Sequence, residues 1–411
     1  MNIKKIKAMR ILDSRGIPTI KTYVYTDNTV AYACVPAGTS AGMNEAIELR
    51  DKRSKAYHGM DVQKAINNVN NIISKKLSGS FVLDQEGIDK TLIKLDGTTN
   101  KSKLGANAIL SVSLACARAA AQELEMPLYK YISRLNNNKS FVFPIPHLNI
   151  INGGEHAGND LQIQEFQIIP KFKNFEETMR AASEIYQELK SVLNKKLGAT
   201  STNVGYEGGF VPLIKNTREA LDLMQEAINN TGYKKKVSFG IDCAANSFYN
   251  EKSKKYNLDG KIFSSSDLEK YYLKLLKDYN ITAIEDPFFE KDYSAWKSFY
   301  KKIGSKVRII GDDLVVSNPK LIKKAIKNKY CNNLLLKPNQ IGTLTETIKS
   351  FNIAKEAGWN VVVSHRSGET EDPFIADLAY GLKSKYIKFG APARGERTAK
   401  YNRLLEIDFL K

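Results

Sequence analysis

The sequence predicts an α/β protein, with a (β/α)8-type barrel over residues 139–411 and a smaller α+β capping domain over residues 1–138 before it. Three observations predict this. The texture of the chain changes at LNNNKS, Leu135 to Ser140, a polar stretch suited to a linker. Before it, a hairpin pattern gives way to helical patterns. After it, strand-like and helix-like runs alternate to the C-terminus, as serial βα units do.

Each element follows from local chemistry. Residues 17–36 (IPTIKTYVYTDNTVAYACVP) alternate apolar and polar positions and turn at Asp27-Asn28, which predicts an antiparallel hairpin. Residues 102–124 are rich in Ala and Ser at helical spacing, which predicts a helix packed closely on several sides. Beyond the linker, Phe175, Met179, Ala182, Ile185, Tyr186, Leu189 and Val192 repeat at helical period. Asn174 with Glu177 forms a capping box ahead of that helix, and Gly198 ends it. Asn318-Pro319 offers an N-cap followed by Pro at the first helical position. Thr343 with Glu346 is a second capping box.

Composition narrows the function classes. The 411 residues are 42% apolar and 26% charged, the balance of an ordinary globular chain that buries a core without staples. The four cysteines (Cys34, Cys116, Cys243, Cys331) are scattered, which fits a reducing compartment. The N-terminal MNIKKIKAMRILDSRG has charges where an export signal is apolar, and no apolar run approaches ~20 residues. A cytoplasmic protein without membrane partners is therefore expected. The net charge of +18 comes mostly from lysines spread along the chain, with no RNA-binding aromatic signature and no zinc-finger spacing. Nucleic acid is not the expected partner. Such a field would steer small anions.

The chemistry lies at strand ends. VSFGID ends at Asp242, TAIED at Glu285 and Asp286, and VRIIGDD at Asp312 and Asp313. NLLLK ends at Lys337, NVVVSHRS at His365, Arg366 and Ser367, and YIKFG carries Lys388. One charged strand end is commonly a cap or turn residue. A series of six fits a barrel whose strands point one way and deliver their C-terminal ends to one site. Asp242, Glu285 and Asp312 would repel one another unless a cation sat between them, and hard oxygen ligands suit Mg²⁺ rather than zinc. Lys337, Arg366 and Lys388 would bind anions, the Arg366 fork suiting a phosphate. Two lysines near metal cations depress each other's pKa, so one can be neutral and act as a base. INGGEHAGND places His156 in a Gly-rich loop, and NVGYEGGFVP sets Glu207 among glycines; a lone histidine is more often structural than catalytic, and a carboxylate among glycines is often only a turn residue.

These stretches resemble the enolase family, and the resemblance runs from DSRG at Asp13 to AKYNRLLEI near the C-terminus. LDGTTNKSKLGANAILSVSLA, LNIINGGEHAGND, IQEF, NVGYEGGF, IEDPF, GDDL, LLLKPNQIGTLTET, VVVSHRSGETED and GAPARGERTAKYN carry it. HAGND, NVGYEGGF and GAPARGERTAKYN are similar to the archaeal-type branch. The resemblance implies an enolase-type barrel that dehydrates 2-phosphoglycerate to phosphoenolpyruvate reversibly, in glycolysis and gluconeogenesis, with two Mg²⁺ per site. The family is itself the general example of a lysine base working beside Mg²⁺. By position, Lys337 matches the base, and Glu207 with its neighbour Glu165 the acid that helps the hydroxyl leave. Asp242, Glu285 and Asp312 match the ligands of the first Mg²⁺, and Ser40, in VPAGTSAG, the serine that joins the second. Arg366 and Ser367 match the phosphate binders, Lys388 a carboxylate-side contact, and His156, Gln164 and His365 further substrate contacts. The family also implies a homodimer or higher homo-oligomer.

The sequence departs from the pattern in places. Tyr206 stands where the family has Asp, immediately before Glu207. Pro338 follows the base and removes a backbone donor at the strand end. Asn246 and Ser247 replace a Ser-Glu pair, two hydroxyls have moved in AGTSAG, and the chain stops soon after LLEID. Lys21 and Glu406 stand where an acid and an arginine pair across the family's dimer, both signs reversed. Two alternatives therefore stand beside the enzyme: a paralogue with weak or altered activity, suggested by Tyr206 and Pro338, and a non-catalytic binding protein, suggested by the charge and by Lys411.

Overall fold

The computed structural model describes residues 1–39, 42 and 44–411. The predicted hairpin is part of a three-stranded antiparallel sheet: β1 (Lys5–Leu12), β2 (Pro18–Tyr25) and β3 (Val30–Cys34). β1 was not foreseen. Against this sheet packs the helix Ala106–Glu123, buried along almost its whole length. Its alanines and serines let it approach closely: Ser111 Oγ lies 2.7 Å from Thr22 Oγ1 inside the interface.

The second half closes into an eight-stranded barrel. Its first strands are β4 (Ile145–Asn152), β5 (Glu165–Pro170) and β6 (Val237–Asp242). A small side sheet follows, made of β7 (Tyr249–Asn250), β8 (Lys255–Leu258) and β9 (Lys261–Phe263). The barrel then continues through β10 (Ile281–Glu285), β11 (Arg308–Gly311), β12 (Asn333–Leu336), β13 (Asn360–Ser364) and β14 (Tyr386–Lys388). The last six strands foreseen from their charged ends are β6 and β10 to β14. The helices Phe175–Leu197, Pro319–Asn328 and Leu344–Glu356 start at the expected caps, with Asn174 accepting from Glu177 N at 2.7 Å.

One expectation is corrected. The strands do not all point the same way: β5 runs antiparallel to both β4 and β6. Only a single 3-10 turn, Gly154–His156, lies between β4 and β5, and a short connection without a crossover permits only antiparallel pairing. The reversal still serves the site. Glu165 is the first residue of β5, opposite Asn152 and Asp242, so it lies level with the C-terminal ends of its neighbours.

Inside the barrel the period of two sorts side chains into layers. Ile169, Ala283, Ile310, Leu335, Val362 and Tyr386 form an apolar plug. Two residues nearer the site on those strands stand Gln167, Glu285, Asp312, Lys337, Ser364 and Lys388. Gly240 leaves room for this change of character, since a Cβ there would lie 2.6 Å from Gln167 Oε1.

Candidate active site

The polar end of the barrel opens into a cavity lined by His156, Gln164, Glu165, Glu207, Asp242, Asp286, Asp312, Asp313, Lys337, His365, Arg366, Ser367 and Lys388. Of the predicted residues, these come together directly. Glu285 lies just beneath, buried against Lys388. Ser40 lies outside the described residues.

Lys388 is the centre of the charge network. Its Nζ lies 2.8 Å from Asp242, 2.9 Å from Glu285 and 3.1 Å from Glu165. Burial alone would lower its pKa, but Asp242, Glu165 and Glu285 more than offset this and hold it well above the ordinary lysine range. Lys337 bonds to Asp312. Burial lowers the Lys337 pKa, yet the Asp312 carboxylate outweighs it and the net shift is upward. In this arrangement Lys337 carries its proton.

The carboxylates divide in the same way. Burial pushes Glu285, Asp286 and Glu165 well above the carboxylate range, reinforced by Asp242, Asp313 and Glu207 respectively. Asp313 is pushed up to about 8 by burial and by Asp312. Burial also raises Glu207, but His365, His156 and Arg397 reverse it, and it stays well below the usual range. Glu207 and Glu165 thus sit side by side with their proton affinities driven apart, which is how paired carboxylates acquire separate roles. Glu207 accepts from Asn149 Nδ2 at 3.0 Å and lies 3.5 Å from His156 and 3.4 Å from His365.

Sequence reasoning missed three groups. Glu45, from the N-terminal domain, takes the Arg366 fork at 2.9 Å, and Thr39 bonds to Ser367 Oγ through Oγ1 at 2.7 Å and N at 2.9 Å. The two predicted phosphate binders are therefore held by groups of the capping domain: Glu45 accepts from Arg366, and Thr39 N donates to Ser367 Oγ. Arg397 is fully buried and donates to His365 Nδ1 at 2.6 Å, to the carbonyls of Arg366 and Ser367, each at 2.6 Å, and to that of Tyr206 at 2.9 Å. It ties the β13 end to the Glu207 loop. It lies within GAPARGERTAKYN, where an arginine among helix formers reads as surface. Because Arg397 donates to Nδ1, the His365 proton sits on Nε2, facing Glu207.

His365 is pushed down to about 3, by burial first, and His156 is lowered for the same reason. Both folded-state pKa values lie below the unfolded value of about 6.5. The unfolded chain therefore binds more protons below pH 6.5, and stability falls on acidification from there toward pH 3. His365→Gln is expected to remove about one proton of this uptake, reducing the pH slope of the urea-unfolding free energy by about 1.4 kcal/mol per pH unit near pH 5. An unchanged slope would mean that His365 is already protonated in the fold.

The two departures have local explanations. Pro338 opens a short helix, Pro338–Ile341, at its first position with Lys337 as N-cap, where no backbone donor is needed. Tyr206 is 41% exposed, its ring meeting His156 edge-on at 6.5 Å. Gly208 follows Glu207 at φ +85°, with a Cβ position only 3.0 Å from Ala393 O, so the turn that aims Glu207 inward needs glycine.

The donor set suits a hard divalent cation. Seven carboxylates line the cavity (Glu45, Glu165, Glu207, Asp242, Asp286, Asp312, Asp313) against three fixed cations (Lys337, Arg366, Lys388). Oxygens of Asp286, Asp312 and Asp313 lie within 4.8 Å of one another. An excess of buried oxygen ligands with no thiolate among them fits Mg²⁺.

Comparison with known proteins agrees with this geometry. Residues 3–132 match the family model described as enolase, N-terminal domain, and residues 140–409 match enolase, C-terminal TIM barrel domain. The chain is 50% identical to Enolase 1 of Entamoeba histolytica over 419 residues, covering 99% of this chain and 96% of that protein. It is 51% identical to Enolase B of Dictyostelium discoideum and 50% identical to Enolase of Solanum lycopersicum, each over 99% of this chain and 95% of the relative. With both halves matched, the barrel closed and the acidic cavity at its polar end, the chain belongs to the enolase family.

Proposed function

We propose that the protein catalyses the reversible, Mg²⁺-dependent dehydration of 2-phosphoglycerate to phosphoenolpyruvate, as a lyase of glycolysis and gluconeogenesis. One observation carries this reading: a lysine, a pair of carboxylates with opposed proton affinities and an arginine fork all line a single cavity. Lys337 takes the C2 proton. Glu207 is the acid at the departing C3 hydroxyl, and Glu165 beside it, whose proton affinity is held high, supplies the proton that Glu207 passes on. Arg366 and Ser367 hold the phosphate once Glu45 and Thr39 release them. Lys388 faces the substrate carboxylate, and His156, Gln164 and His365 complete the contacts. Asp242, Glu285 and Asp312 would hold one Mg²⁺, and Ser40 would join a second. Bound there, the metal supplies positive charge that stabilises the developing carbanion and lowers the proton affinity of Lys337.

The direct test is ultraviolet absorbance of the enol product from 2-phosphoglycerate, with Mg²⁺ and then with excess chelator. Product that appears only with metal supports the enzyme. No product from folded, metal-loaded protein overturns it in favour of a binding protein. The side-chain exposure of Tyr206 argues against an altered paralogue. Tyr206→Asp is expected to change kcat/KM by less than about tenfold. A larger gain would return the altered-activity reading.

The finer assignments are part of the same proposal. The archaeal-type placement rests on HAGND, NVGYEGGF and GAPARGERTAKYN. A domain boundary at residues 138/139 is supported by the helix that ends at Leu135 and the strand that starts at Ile145. A cytoplasmic location is supported by four free cysteines. A homodimer is supported by the reversed charges at Lys21 and Glu406. Within the chain Lys21 lies 3.7 Å from the Tyr32 ring centre and Glu406 pairs with Arg403 at 2.5 Å. Single charge swaps at either residue are expected to weaken the dimer in sedimentation, and the double swap to restore it. Single swaps without effect would sink the pairing.

A further inference from the structure

The barrel has a second charged mouth, at the end away from the site. There a cavity is lined by Lys171, Lys235, Lys236, Arg308, Lys385 and Tyr386, and no carboxylate contributes to its wall. These cations come from four chain segments: the residue after β5, the two before β6, the first of β11 and the one before β14. Among the described residues none of the five makes an ion pair. Arg308 is half-buried and has only neutral partners. Its Nη2 donates to Thr282 Oγ1 at 3.0 Å, its Nη1 to Tyr386 Oη at 3.3 Å, and its buried Nε has no acceptor. Its guanidinium lies 4.5 Å from the Tyr386 ring centre.

This arrangement is unfavourable without a partner. Five like charges converge on a concavity floored by the apolar plug of the barrel, where Ile169 and Tyr386 lie. A surface that only keeps a protein soluble intersperses both signs. Elsewhere the lysines do so, as in Lys196–Glu226 and Lys302–Glu269. We propose that this mouth is a binding site for a compact polyphosphate anion, distinct from the catalytic cavity and separated from it by the plug. An arginine fork with lysines around it is the donor set phosphate oxygens require. The recess favours a compact anion over a nucleic-acid strand. The nearby rings are already covered by cations, Phe172 by Lys236 at 4.7 Å and Tyr386 by Arg308, so they offer no free face for stacked bases.

Calorimetry of the full chain with tripolyphosphate, without divalent metal, tests this. A binding event is expected that survives Arg366→Gln in the catalytic cavity. It should weaken about two- to fivefold in Lys235→Gln and in Lys385→Gln, about tenfold or more in Arg308→Gln, and further as salt rises. Lys235 and Lys385 are exposed, so these variants fold, and their turnover of 2-phosphoglycerate should be unchanged. Loss of all binding in Arg366→Gln, or binding indifferent to both lysine variants, overturns the proposal. So does a single-stranded oligonucleotide that binds through the same lysines more tightly than tripolyphosphate, which would make this mouth a nucleic-acid surface.

Discussion

Lys337→Ala is expected to lower kcat by about 10²- to 10⁴-fold with KM little changed, the range lost with a positioned general base. The lysine stands at the end of β12, half-buried, with its ammonium on Asp312. Its removal leaves Asp312 with the Gln340 amide at 2.8 Å, so the cavity wall stays largely intact. The proposed phosphate contacts, Arg366 and Ser367, are untouched. A loss in kcat without a loss in KM therefore separates a base from a binding residue. The measurement is steady-state product absorbance on folded, Mg²⁺-saturated protein. Turnover within a few-fold of the unaltered chain would mean that another group takes the proton.

Lys388→Met is expected to cost about 3–5 kcal/mol of unfolding free energy in chelator-treated protein, the scale of breaking one side of a buried ion pair. Three carboxylates, Asp242, Glu285 and Glu165, rest on this one ammonium, and all four side chains are buried. Without it the acids can avoid repulsion only by binding protons. Their folded pKa values rise, so the loss should be larger at pH 8 than at pH 5, where protonation comes at little cost. Urea unfolding at the two pH values reads both effects. A pH-independent loss would point to packing of the lysine stem rather than to charge.

Much of this protein is set by local chemistry that can be read along the chain. Caps at Asn174, Asn318 and Thr343 depend on residues two or three apart, and the helices they start were foreseen correctly. The residue types at the strand ends depend only on a period of two, and every predicted site residue that the structure describes lies at the cavity or directly beneath it. What the chain alone could not decide is which distant groups meet. The reversal of β5 follows from the absence of a crossover helix, and it brings Glu165 level with Asp242. Glu45 and Thr39 reach the site only because the capping domain docks on the β13 loop. Arg397 looks like a surface residue of a helix until that helix packs beneath His365. The charge of Lys337 is decided at long range for the same reason. Its proton affinity depends on Asp312, 25 residues away, whose distance is set by pairing of β11 with β12. Secondary structure and residue chemistry are short-range and written in order. Electrostatics and buried hydrogen bonds are long-range in sequence, and only the closed barrel fixes them.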